Sequence, residues 1–209
     1  MAAPDLKQLL GNRPSSEVIV AYISHLGFLV PDASASPEVK SYPDAIYFNY
    51  FPLGLSLLFK PVNGYKPKTG MKREDLKDVD LVLDGIDIYN VPPPKPGATS
   101  RHKSAYSLYP VEDFTIRLVA IPDNARPATM EVKRTTTGKD FVSVLGEPDR
   151  KGGGAGPSSG SIGIWCEWSK DGVMVEFGGD ESRGPQAWEK GKDAVWKVIS
   201  IFSSPSGDA

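Results

Sequence analysis

The residues equipped for chemistry in this chain are few. It has one cysteine, Cys166, and two histidines, His25 and His102. Metal sites and nucleophile–base pairs announce themselves by spacings such as H-x-x-x-H or C-x-x-C, and neither occurs. Gly11, Gly27 and Gly85 form no dinucleotide fingerprint. The glycine-rich run 150–163, RKGGGAGPSSGSIG, follows a helix-like segment and leads into a strand-like one. A phosphate loop needs backbone amides converging on a helix start, so this run reads as a flexible loop. No catalytic residue, metal ligand or cofactor is therefore assigned, and the chain leans away from being an enzyme.

The carboxylates are the remaining candidates. Glu167 and Glu176 lie in the stretch Ile164 to Phe177, IWCEWSKDGVMVEF, where Asp171-Gly172 marks a tight turn between two apolar runs. A two-residue loop would set the two glutamates opposite one another, a destabilising pairing that a cation or basic partner would relieve. A four-residue loop, 169–172, sets Glu167 opposite Met174 and Glu176 opposite Trp165. Both registers remain open at the level of sequence. Glu167, Glu176 and Asp87 are the groups an acid/base mechanism would use, since partial burial raises a carboxyl pKa toward a working range.

The element that positions these acids is a β-hairpin. Side chains alternate faces along a strand, so Cys166, Trp168, Val173, Val175 and Phe177 point to the core. Trp165, Glu167, Met174 and Glu176 point the other way. Residues 47–59, YFNYFPLGLSLLF, repeat the pattern without gaps, with Tyr47 falling on Trp165 and Gly54 on Gly172, 118 positions on. Each hairpin follows a helix-like run ending in Leu-Gly, at Gly27 and Gly146, and precedes one more strand, GIDIYN or KVISIF. Such internal repetition predicts an α+β protein of two tandem helix–antiparallel-sheet repeats forming one continuous sheet with helices on one face. The outward positions of the two repeats then supply a candidate binding face: Tyr47, Asn49, Asp87 and Tyr89 from the first, Trp165, Glu167, Met174, Glu176 and Phe202 from the second.

Along the chain, residues 1–14 read as a short helix or a loose arm. A helix over 15–27 carries Val18, Ile19, Tyr22, Ile23 and Leu26 at helical spacing, with Gly27 as its left-handed stop. His25 sits beside that end as an exposed or capping residue. Residues 28–43 read as a loop and the lysine-, glycine- and proline-rich run 60–75 as a mobile one. The run 91–103, VPPPKPGATSRHK, reads as a stiff polyproline linker between a first repeat at 1–90 and a second at 104–209. Thr136 or Thr137 with Asp140 starts a helix that Gly146 ends. A short helix is expected around Trp188.

Net charge is −2 over 209 residues, which gives no global attraction to nucleic acid. Cys166 on a core face behaves as a small buried hydrophobe. The opening residues MAAPDLKQLLGNRP lack the apolar core of a secretory signal, and no run reaches the roughly 20 apolar residues of a membrane span. The expected location is cytoplasmic, away from membranes.

The segment TTTGKDFVSVLGEPDRK, the glycine-rich loop, IWCEW, DGVMVEF and a closing strand together resemble one repeat of the β-lactamase inhibitor protein type. They are similar also to the unit carried by small outer-membrane lipoproteins of the barrel-assembly machinery. The resemblance covers 136–202 well and 15–90 loosely. It implies helices ahead of an antiparallel sheet whose concave face grips a protein. The chain lacks the signal peptide, lipidation cysteine and disulfides of those families, so secretion and β-lactamase inhibition are not carried over.

The resulting expectation is a non-catalytic binding module offering an aromatic and acidic sheet face to a protein partner, or to a second copy of itself. The alternative is a small-molecule binder or cofactor-free enzyme with a pocket between the sheet and loops 60–75 and 150–163.

Overall fold

A computed structural model describes residues 5–31, 33–91, 104–120, 126–154 and 163–204. The core of the proline-rich linker (92–103, with His102) and residues 155–162 of the glycine-rich loop lie outside the described residues. The protein is of mixed α+β class with antiparallel sheet. The chain forms two compact units, one of Gln8–Val111 and one of Glu112–Ala209 with Met1–Lys7. Residues 104–111 fall in the unit of Gln8–Val111.

The unit of residues 8–111 starts with helix α1 (Glu17–Leu29), which buries Ile19, Tyr22, Ile23 and Leu26. That i, i+3, i+4, i+7 stripe is what its sequence spacing requires. Gly27 does not end the helix. It stays helical, and Val30 donates its amide back to the Gly27 carbonyl, so the stop falls at Val30, just before Pro31. Four antiparallel strands follow as a meander: β1 (Glu38–Ser41), β2 (Ile46–Tyr50), β3 (Leu55–Pro61) and β4 (Leu81–Tyr89). The β2–β3 turn is a short 3-10 helix, Phe51–Leu53, closed by Gly54 at φ 57°, ψ 37°. A Cβ at Gly54 would collide with the backbone of 107–109, so this site needs glycine for both conformation and space.

In β4 the pairing register shifts between Leu58 and Phe59 of its partner, leaving Asp84 as the extra residue of a bulge. The bulge explains an oddity of sequence. Leu81 and Leu83 are buried before it and Ile86 and Ile88 after it, because one inserted residue flips the alternation. The run 60–75 is anchored rather than loose. Ser41 Oγ donates to the Lys68 carbonyl (2.8 Å) and accepts from the Met71 amide (2.7 Å), and Gly70 donates to the Ser41 carbonyl. Arg73 pairs with Asp78 through two 2.6 Å bonds, and its guanidinium lies 4.9 Å from the centre of the Phe48 ring.

The other unit opens with a two-stranded ribbon, β5 (Asp113–Arg117) with β6 (Thr129–Lys133). Helix α2 (Gly138–Leu145) follows, and its start is legible: Asp140 accepts from both the amide and the hydroxyl of Thr137, at 2.8 Å each. Those bonds hold the Asp140 pKa below the usual carboxyl value. Gly146, at φ 81°, ends the helix. Then come β7 (Arg150–Gly152), β8 (Trp165–Trp168), β9 (Val173–Phe177), the short α3 (Ala187–Lys190) and β10 (Trp196–Phe202), with β7 to β10 forming an antiparallel meander. The β8–β9 connection is the four-residue form. Its 3-10 turn Ser169–Asp171 is closed by Gly172 at φ 60°, ψ 43°. β10 is bulged at Lys197, so burial passes from Trp196 to Ile199 and Ile201.

Phe141 of α2 packs on Trp168 and Phe177, with ring centres 6.2 and 6.1 Å away, and the Trp168 indole N–H donates to the Gly146 carbonyl at 2.9 Å. The turn itself is clasped from outside the sheet. Arg126 donates Nη1 and Nη2 to the two carboxylate oxygens of Asp171 at 2.9 and 2.8 Å, and the Val119 amide adds a bond at 2.9 Å. Both side chains of that pair are nearly inaccessible, at 7% and 3%. Lys7 Nζ donates to the carbonyls of Asp171 (2.5 Å) and Arg117 (2.6 Å), and burial lowers its pKa while Asp171 opposes the shift.

Candidate functional site

The registers of the first unit decide which of its side chains meet. Asn49 lies opposite Ser56, and Ser56 opposite Asp87, so one row crosses β2, β3 and β4 on a single face. Tyr47 and Tyr89 flank that row on the same face, two residues from Asn49 and Asp87. Tyr47, Asp87 and Tyr89 are half-buried, whereas Asn49 is only 5% exposed. These residues line an open trough of about 700 Å³, together with Lys40, Tyr42, Asp44, Phe51 and Tyr106.

Tyr106 is the residue that sequence reading missed. It stacks flat on Tyr89, with ring centres 3.7 Å apart and planes 4° from parallel, and meets Phe51 edge-on at 4.7 Å. Its hydroxyl donates to Asn49 Oδ1 at 2.6 Å, and Ser56 Oγ donates to the same oxygen at 2.9 Å. Asn49 thus lies on the face that the alternation assigns to it, but is nearly covered. It is a buried acceptor that fixes the orientation of a tyrosine wall. The segment carrying Tyr106 is held by backbone bonds from Ser107 to Phe51 (2.8 Å) and from Tyr109 to Tyr89 (2.9 Å). No local periodicity around Tyr106 points to this partnership, because the contact spans the proline-rich run.

Across the trough, Tyr42 meets Tyr47 edge-on at 6.2 Å. Lys40, Asp44 and Asp87 supply charge at its sides. Aromatic faces with phenol hydroxyls and a few charges suit adhesion to a ligand backbone and side chains. Among the described residues no group of three or more His, Cys, Asp and Glu side chains is placed to hold a metal ion.

The outward residues of the second unit also come together. Trp165 lies opposite Glu176 and Glu167 opposite Met174, which is the register without like-charge conflict. Met174 lies opposite Ser200, so Phe202 shares that face two residues on. The acids here are committed. Glu167 accepts from Ser169 Oγ (2.6 Å) and Arg150 (3.3 Å), and Glu176 from Lys197 Nζ (2.7 Å). What this face presents is therefore mainly Trp165, Met174 and Phe202, all half-buried.

On the opposite face, Cys166 is buried and free. Burial pushes its thiol up to about 11, with Lys151 opposing the shift and Glu147 adding to it. A thiol so placed carries little thiolate at neutral pH and is a poor nucleophile. It contributes to a second cleft, with Lys151 and Ile164, that contains Glu147 but neither Glu167 nor Glu176. His25 is exposed on α1. Among the described residues no helix is long and apolar enough to cross a membrane.

No protein-family model, curated protein or solved structure matches this chain.

Proposed function

We propose that this chain is a non-catalytic binding module, and that its first unit takes an extended segment of a partner protein along the trough of Tyr47, Asp87 and Tyr89. The observation that carries this reading is the Tyr89–Tyr106 stack, locked by the hydroxyl bond to buried Asn49. It is a wall set in place before any ligand arrives, and preorganised aromatic surface binds at low entropy cost. The breadth and openness of the trough favour a polypeptide over a small molecule enclosed in a pocket. Asp44, exposed at the side of the trough, favours a segment carrying a Lys or Arg.

The two units read as copies of one ancestral helix–meander. Three features support this. Both hairpins turn through a three-residue 3-10 helix and a left-handed glycine. In both, the last residue of the fourth strand donates its amide to that glycine, Tyr89 to Gly54 at 3.0 Å and Phe202 to Gly172 at 2.9 Å. Both fourth strands are bulged. The motif likeness of 136–202 to the β-lactamase inhibitor protein type agrees with this reading and with a sheet that holds a protein.

The test is photo-crosslinking from Tyr47 replaced by p-benzoylphenylalanine, with the same replacement at exposed Val79 as control. The expected result is one dominant adduct with a different protein from position 47 only, mapped to an extended segment, and lost when Asp87 and Tyr89 are changed to alanine. Adducts only between two copies of this chain, or equal adducts from position 79, would overturn it.

A further inference from the structure

We propose that the cleft between α2 and the β8–β9 face of the second unit binds a small organic acid with an apolar body and a single carboxylate. This site lies on the sheet face opposite Trp165 and is independent of the tyrosine trough. Its volume is about 390 Å³, in the lower part of the roughly 300–1,000 Å³ range of small-molecule sites.

The walls are apolar. Val142 of α2, Ile164, Cys166 and Phe177 of the sheet region and Trp188 of α3 line it. Ile164, Cys166 and Phe177 are already buried, but Trp188 and Val142 stand 44% and 36% exposed. Two large apolar side chains left open at the mouth of one cleft are what an apolar occupant would cover.

The rim chooses the sign of the ligand. Lys139, Lys151 and Lys192 border the cleft against one acid, Glu147. Among the described residues none of the three ammonium groups forms an ion pair. Lys151 Nζ lies 5.7 Å from the centre of the Trp188 ring, so cation and apolar wall are neighbours. A carboxylate seated among the three lysines would gain charge-assisted hydrogen bonds while its hydrocarbon body lay against Trp188 and Val142. An ammonium on the same body would meet like charge, and the rim would reject it.

The experiment is titration calorimetry of the full chain with octanoate and with octylamine, which share one hydrocarbon body and differ in charge. Octanoate should bind with one-to-one stoichiometry and octylamine at least tenfold more weakly. The double variant Lys139→Glu/Lys192→Glu alters two exposed side chains, so the fold should persist, which circular dichroism checks. It should weaken octanoate at least tenfold and strengthen octylamine. Val142→Trp, which fills the cleft from its exposed helix position, should remove binding of both. Equal binding of acid and amine, octanoate affinity unchanged in the double variant, or no saturable heat from octanoate up to its solubility limit would overturn the proposal.

Discussion

The indole of Trp165 lies over Gly152, its direct partner across β7 and β8, so closely that a Cβ built on Gly152 would fall 2.7 Å from the ring. A strand glycine often marks the place where another group must approach the backbone. Here that group is the largest aromatic of the second unit's outward face, and the missing side chain lets it lie flat instead of standing into solvent.

Gly152→Val should therefore lift the Trp165 ring. Gly152 has no left-handed φ, so the cost is steric alone, about 1–3 kcal/mol for forced repacking. The check is the Trp165 indole N–H resonance, assigned by Trp165→Phe, together with a urea midpoint. A resonance that stays in place in a variant as stable as wild type would refute the contact.

The clasp on the β8–β9 turn gives a larger effect. Asp171→Ala leaves the Arg126 guanidinium buried without its counter-charge, with the Val119 carbonyl still accepting from Nη2, and breaking a buried pair by removing one partner costs roughly 3–5 kcal/mol. Replacing both, as Asp171→Leu/Arg126→Met, removes the orphaned charge and should cost less than Asp171→Ala alone. Urea denaturation of the three proteins decides it. A loss under about 1 kcal/mol for Asp171→Ala would show that water reaches the arginine.

How far the fold was legible follows from which signals are local. Thr137, Asp140 and Gly146 bound α2 from sequence because caps act within a few residues. The faces of β8 and β9 were legible because alternation is local too, and Cys166, Trp168, Val173, Val175 and Phe177 are all buried. Gly27 misled because a glycine costs a helix only about 1 kcal/mol, which the buried stripe of α1 outweighs. β1 was missed because Glu-Val-Lys-Ser offers one apolar residue to read. The site divides in the same way. Tyr47, Asp87 and Tyr89 follow from alternation, whereas Tyr106 and the turn clasp of Arg126 depend on contacts across long sequence separations, for which a single chain carries no pattern.

The buried phenols of the first unit should make it sensitive to alkali. Burial raises Tyr109 to about 12, and Tyr22, whose hydroxyl lies 2.5 Å from that of Tyr109, is raised well above its usual value by burial and by that neighbour. Tyr50 also stands at about 12 through burial, partly opposed by Arg73. An unfolded phenol ionises near 10. Between pH 10 and 12 the unfolded chain therefore releases protons that the folded one keeps, so stability is full below pH 10 and falls as pH rises through that window. Tyr50→Phe removes one of these groups without cutting any hydrogen bond found for its hydroxyl among the described residues. The variant should match wild type within about 1 kcal/mol at pH 8 and gain on it by about 2 kcal/mol at pH 11.5, the value a two-unit shift gives there. Urea midpoints for both proteins across pH 8 to 11.5 supply the comparison, and parallel curves would place the Tyr50 hydroxyl in water.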